Sequence, residues 1–231
     1  CVAAYLARHP VTRPTATVAI GKAACAMSSG ACQALGPQLL RGLLITKHGH
    51  STPECLADPR LRCIEAGHPL PDAHSLEAGA ALCDFLDGLP AGCAVLFLIS
   101  GGASSLAEVL PAGISLAQLQ RANRWLLGSG LAITGMNHVR QSLSRIKGGR
   151  LLERLRGRPA LALLISDVPG DDPAVIGSGL LYPRTPRHAP ALPAWLAQLT
   201  AGSRALPGTG EQAVPHRIIA RLDQALQAAA G

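Results

Sequence analysis

The chain has 231 residues, enough for one large domain or one and a half. Its hydrophobic fraction of 48% supports a sizeable core, and with aromatics at only 3% that core is aliphatic. The formal net charge of +7 is scattered, with no Lys/Arg run and no interleaved aromatics, which argues against nucleic-acid binding and fits anionic small molecules.

Residues 2–8 read as the end of a helix. Residues 17–20 are an apolar run that suits a buried strand, followed by Gly21-Lys22-Ala23-Ala24 and a small-residue helix to Leu35. A strand, a glycine and a helix start are a phosphate-binding context. The motif is neither Gly-x-Gly-x-x-Gly nor a P-loop, so on its own Lys22 reads equally as catalytic or as a surface lysine. A second strand over 42–46 leads into Lys47-His48-Gly49-His50. Two histidines at that spacing suit a metal, but no third ligand stands nearby, so they read as loop residues. A third strand over 62–65 enters a turn with two prolines, and Asp72 is placed to cap a helix over 74–88. His68, in that turn, has no assigned role.

Residues 94–99 form the clearest strand and run into Ser100-Gly101-Gly102-Ala103-Ser104-Ser105. Glycines let a backbone approach an anion closely, and Ser104 and Ser105 add hydroxyls at the expected helix start. A helix over 115–132 follows, with Ser115 as its cap. Asn137, Arg140 and Ser144 are spaced to share one helical face, and Lys147 opens the Gly148-Gly149 pair. Residues 161–165 read as a buried strand, with Ser166, Asp167, Gly170, Asp171 and Asp172 just past its carboxyl end. In open α/β sheets that edge binds ligands. Together with the glycine loop, this group reads as an anion site. From about 180 to 214 the chain is rich in Pro and Gly, with one short helix near 194–199; residues 216–220 then read as a last strand entering a helix. The alternation implies an α/β fold with a mainly parallel sheet covered on both faces.

Seven cysteines, at 1, 25, 32, 55, 63, 83 and 93, include no Cys-x-x-Cys pair. That pattern argues against a disulfide framework and a cysteine zinc site, and implies a reducing, cytoplasmic setting. No signal peptide or long apolar span stands out. The chain starts at Cys1 without Met, and it stops just inside a new βα unit. Further sequence is therefore expected at both ends.

Five motifs in order carry a resemblance. They are Gly-Lys-Ala-Ala at 21–24, Glu-Ala-Gly-His-Pro-x-Pro-Asp at 65–72 and Ser-Gly-Gly-x-Ser at 100–104. They continue with Asn-x-Val-Arg-x-x-Leu-Ser-x-Ile-Lys-Gly-Gly-Arg-Leu at 137–151 and Ser-Asp-Val-x-Gly-Asp-Asp-x-x-x-Ile-x-Ser-Gly at 166–179. The series resembles the class II glycerate kinases, also labelled hydroxypyruvate reductases of the tartrate-utilisation type. The resemblance implies that residues 1–231 are the larger, Rossmann-like amino-terminal α/β/α domain of a two-domain enzyme, without the smaller carboxyl-terminal domain. It implies transfer of phosphate from ATP to D-glycerate, giving 2-phosphoglycerate, with Mg²⁺. Lys22, Arg140 and Lys147 match the family's cations and are the expected catalytic residues. Gly101, Gly102, Ser104, Ser105 and Asn137 are the expected phosphate or substrate contacts, and Asp167, Asp171 and Asp172 the expected metal ligands. The sequence departs from the family pattern at Ala103, Ser105, Gly135, Ser142 and Leu180. Expected partners are a small hydroxy acid and, in a homodimer, a second copy, with no nucleic acid or membrane.

Two other readings stand beside the kinase. One is a non-catalytic ligand-binding or regulatory domain derived from it. The other, ranked lowest, is an NAD(P)H-dependent hydroxypyruvate reductase, because no Gly-x-Gly-x-x-Gly follows a strand with an acidic residue about 20 positions on.

Overall fold

The computed structural model describes residues 1–183, 190–201 and 213–221. Among the described residues six strands make one sheet: β1 Thr15–Ile20, β2 Leu39–Lys47, β3 Leu61–Ala66, β4 Ala94–Ile99, β5 Ala160–Ser166 and β6 His216–Arg221. Their order is β3-β2-β1-β4-β5-β6 and every pairing is parallel. That is the doubly wound Rossmann order.

The strands form because their apolar runs serve two faces at once. Val18, Ile20, Phe97, Ile99 and Leu164 enter a core on one side, while Ala19, Leu44, Leu98 and Leu163 enter a second core on the other. The first core is closed by α4 Ala73–Asp87, the single turn α5 Ala103–Leu106 and a 3₁₀ segment at Arg150–Leu155. The second is closed by α1 Val2–Arg8, α2 Ala24–Leu35 and α3 Pro53–Ala57. A third apolar cluster joins α6 Leu116–Gly128, α7 Ile133–Ser142 and α8 Ala194–Ala201. Among the described residues no helix is long and apolar enough to cross a membrane. All seven cysteines are free, four of them buried and only Cys1 exposed.

Local chemistry sets the helix ends. Asp72 caps α4 as expected: its carboxylate accepts from Ser75 N–H at 3.0 Å, and Ser75 Oγ accepts from Asp72 N–H at 3.0 Å. Ser115 and Gln118 form the same reciprocal box on α6. Each such cap is worth about 1 kcal/mol.

Four local features correct or add to the sequence reading. Helix α3 is missing from the sequence reading, although Thr52 caps it and Pro53 takes its first turn. Helix α6 ends at Gly128 rather than 132. Helix α5 is one turn, because Ala107 returns to extended backbone and Glu108 N–H bonds Ser75 O at 2.9 Å. Helix α7 stops at Ser142, so Ser144 leaves the face of Asn137 and Arg140 and its hydroxyl accepts from Ile146 and Lys147 N–H instead. Pro186, Pro207, Gly202, Gly208, Gly210 and the helix expected after β6 lie outside the described residues.

The sheet order puts the topological switch between β1 and β4. Ser100 N–H bonds Ile20 O at 3.0 Å, Lys22 N–H bonds Gly101 O at 2.9 Å, and Ala23 N–H bonds Ser100 Oγ at 3.1 Å. The two exits are thereby laced into one edge, where ligands of such sheets bind.

Candidate active site

The glycines after β4 are there because charged side chains crowd them. A Cβ on Gly101 would lie 2.2 Å from Asp167 Oδ2. Gly102 has φ of +89°, and a Cβ there would lie 3.0 Å from the His68 ring and 3.3 Å from Lys22 Cε. The β4–α5 turn thus has a carboxylate packed on one glycine and an imidazole and an ammonium stem on the next.

A pocket of about 440 Å³ opens beside this turn. Gly101, Gly102, Ser104 and Ser105 form one wall, and Asn137 and Arg140 of α7 form another. Asp167, Val168 and Pro169 come from the β5 exit, and His68 and Pro69 from the β3–α4 turn. Leu127, Ile133 and Met136 add an apolar side. Lys22 is exposed and outside the pocket lining, but its stem lies at Gly102 beside His68.

Arg140 is held by its Nε, which donates to Asn123 Oδ1 at 3.1 Å, and burial pulls its guanidinium pKa below the ordinary value. Burial, then the charges of Lys22, Lys47 and Arg140, lower the pKa of His68, while Asp167 acts weakly the other way. Burial and these cations both favour the neutral imidazole of His68. Asn137 and Ser104 are joined through Ser178: Ser178 Oγ donates to Asn137 Oδ1 at 2.8 Å and lies 2.6 Å from Ser104 Oγ. Asn137 Nδ2 donates to Val175 O at 2.9 Å. This chain of bonds ties the α7 wall to the loop after β5.

Other expected site residues are placed elsewhere. Lys147 is fully buried, its ammonium paired with Glu108 and also reaching Ala107 O at 3.5 Å, so it does not face the pocket. Gly148 and Gly149 donate their N–H groups to Ser178 O and Gly179 O, which anchors the loop holding Ser178. Asp171 pairs with Arg221 at 2.5 Å on β6. Asp172 Oδ1 accepts from Ala174 N–H at 2.9 Å, and its carbonyl accepts from Val175 N–H. Of the three aspartates, only Asp167 reaches the pocket. Its exposed carboxylate is an oxygen donor of the kind Mg²⁺ takes, with waters completing the shell. Ser105 Oγ turns back to Gly102 O.

Sequence reasoning missed Glu108 and gave no role to His68 or to Ser178, which stands in the last quoted motif. Glu108 carried a signal, a lone carboxylate in the apolar run 106–110. Ser178 carried one as well, between two glycines. Of the departures from the family pattern, Ala103, Gly135, Ser142 and Leu180 stand off the pocket lining and only Ser105 is in it.

Comparisons with known proteins identify relatives of the chain. A family model described as a domain of unknown function, DUF4147, matches residues 4–202. The chain is 41% identical over 175 residues to a D-glycerate 2-kinase of Thermotoga maritima, covering 76% of this chain and 41% of that protein. It is 37% identical over 223 residues to a putative hydroxypyruvate reductase of Agrobacterium vitis, covering 92% and 57%. A crystal structure of a glycerate kinase from Thermotoga maritima superposes with a TM-score of 0.81 at 30% identity, over 98% of this chain and 56% of that one. The chain spans about half the length of the curated relatives it matches.

Proposed function

The chain belongs to the DUF4147 family, shared by glycerate 2-kinases and putative hydroxypyruvate reductases, and from that premise we propose that it is the acceptor-binding part of an ATP-dependent D-glycerate 2-kinase. The observation that supports this most is the convergence of Lys22, His68, Arg140 and Asp167 on one glycine turn at the switch of the sheet. Phosphoryl transfer is mostly positioning and charge stabilisation, and these groups supply both.

Arg140 grips the acceptor's carboxylate, with its guanidinium pre-set by Asn123. Neutral His68 takes the proton from the reacting hydroxyl. Lys22, whose Cε lies beside the same glycine, Gly102, as the His68 ring, balances the charge of the transferring phosphoryl group. Gly101, Gly102 and Ser104 shape the anion side of the pocket, and Asn137 fixes its α7 wall. Mg²⁺ would be held by Asp167, where it would neutralise phosphate oxygens. Asp171, Asp172 and Lys147 have structural duties in this account.

The likeness to putative hydroxypyruvate reductases favours a second reading, hydride transfer from a nicotinamide cofactor. Against it, the β1–α2 turn carries the single glycine Gly21 where a dinucleotide fingerprint needs three. The test is ATP-dependent phosphorylation of D-glycerate by the complete encoded protein, with the product's phosphate position read by phosphorus NMR. Formation of 2-phosphoglycerate is expected. Phosphate on another hydroxyl, or NAD(P)H oxidation with hydroxypyruvate and no phosphorylation, would overturn the proposal.

A further inference from the structure

We propose that His48, Asp72 and His74 form a binding site for a divalent transition metal of the Zn²⁺ class, separate from the pocket and independent of the phosphotransfer reading. The sequence shows His48 and His50 close together with no third ligand. The fold brings two other donors to His48, Asp72 and His74 from beyond the end of β3. His48 Nε2 lies 2.7 Å from Asp72 Oδ2, His74 Nδ1 lies 3.8 Å from the same oxygen, and all three donor atoms fall within 4.8 Å of one another. An ion bonded at about 2.0–2.1 Å to each donor needs separations of roughly 3.3 Å in a tetrahedron. The observed spacings straddle that value, so small side-chain rotations suffice. Two imidazoles and one carboxylate select Zn²⁺, Ni²⁺ or Cu²⁺ over Mg²⁺ and leave a fourth position for water.

The donors are held before any ion arrives. Asp72 Oδ1 accepts from the N–H groups of Gly67 and Ser75, which leaves Oδ2 aimed at the histidines. His48 N–H bonds Ala66 O at 3.2 Å, and the following turn is pinned by Glu65, which accepts from Gly49 and Ser51 N–H. His74 sits in the first turn of α4, its ring edge-on to that of His48 at 5.3 Å. On binding, Nε2 of His48 faces the ion in place of its bond to Asp72, and the ring N–H is carried on Nδ1. The ion then fastens the exit of β2 to the turn before α4. His50 is not a ligand; its carbonyl accepts from Cys25 Sγ.

The test is titration of chelator-stripped protein with Co²⁺ alone, followed by its ligand-field absorption. One equivalent should bind in a four-coordinate site, be displaced by Zn²⁺, and resist excess Mg²⁺. His48→Ala and His74→Ala should each weaken binding at least ten-fold, Asp72→Asn should do so while keeping the helix cap, and His50→Ala should change nothing. Absence of Co²⁺ binding would overturn the site. So would binding that survives the His48→Ala/His74→Ala pair or is lost with His50→Ala. A thiolate-to-cobalt charge-transfer band would place the ion on cysteine instead and equally overturn it.

Discussion

Lys22 and Lys147 both adjoin glycines, yet their charges meet opposite surroundings. Lys147 is fully buried against Glu108, whose backbone packs so closely on α4 that a Cβ on Gly79 would lie 2.1 Å from Glu108 O. Burial pushes the carboxyl of Glu108 up and the ammonium of Lys147 down, and their mutual attraction opposes both shifts. Lys22 is exposed beside a pocket, with its stem against Gly102 and His68. Where the protein itself answers a charge, the charge belongs to the fold. Where a cation, a guanidinium and a carboxylate are left around an opening, they are available to a ligand.

The contrast can be broken most severely at Lys147. Lys147→Met leaves a buried carboxylate without its partner and is expected to cost about 3–5 kcal/mol, read as a fall in denaturant midpoint. Adding Glu108→Leu should recover most of that loss, since an apolar pair of similar volume is tolerated where half an ion pair is not. If the single variant is as stable as the parent, the pair is not structural. Gly21→Ala is next. A Cβ there would meet the Ser100 carbonyl oxygen at 2.6 Å, and φ is +134°. The expected loss is about 2 kcal/mol, with unchanged stability in urea counting against the lacing of the β1 and β4 exits.

Glu65 gives a smaller, pH-dependent effect. Bonds from the Ser51 hydroxyl and from Gly49 and Ser51 N–H hold its pKa down at about 2. A depressed carboxylate adds stability that is complete above its unfolded value, about 4.5, and is lost as pH falls toward 2. Glu65→Gln should therefore lower stability at neutral pH by about 1 kcal/mol after solvent screening and flatten the acid limb between those values. Parallel acid curves for the two proteins would remove Glu65 from that role.

The fold was largely legible because parallel strands buried on both faces read as unbroken apolar runs, as β1 and β4 do. Capping signals at Asp72 and Ser115 were legible for the same local reason. Partners far apart in sequence were not. Lys147 is expected to be catalytic from its match to the family's cations, whereas its partner Glu108 stands 39 residues earlier and nothing local announces the pair. Asp171 and Asp172 read like Asp167, but Asp171 answers Arg221 on β6 and Asp172 its own turn. The lowered pKa of His68 comes from burial and from cations contributed by three other segments.

Lys22→Ala is the smallest stability change and the sharpest form of the contrast. The side chain is exposed, so little packing is lost, and the Lys22 N–H bond to Gly101 O is backbone and survives truncation. Surface substitutions of this kind stay within about 0.5 kcal/mol. In the complete protein the same change should lower turnover by roughly 10²–10³-fold, because the charge it removes acts only on a bound anion. Arg140→Ala distinguishes the two kinds of loss. It should raise the KM for glycerate, whereas Lys22→Ala should act on kcat. If Lys22→Ala instead lowers the melting temperature as Lys147→Met does, its charge belongs to the fold, and the anion site must be sought without it.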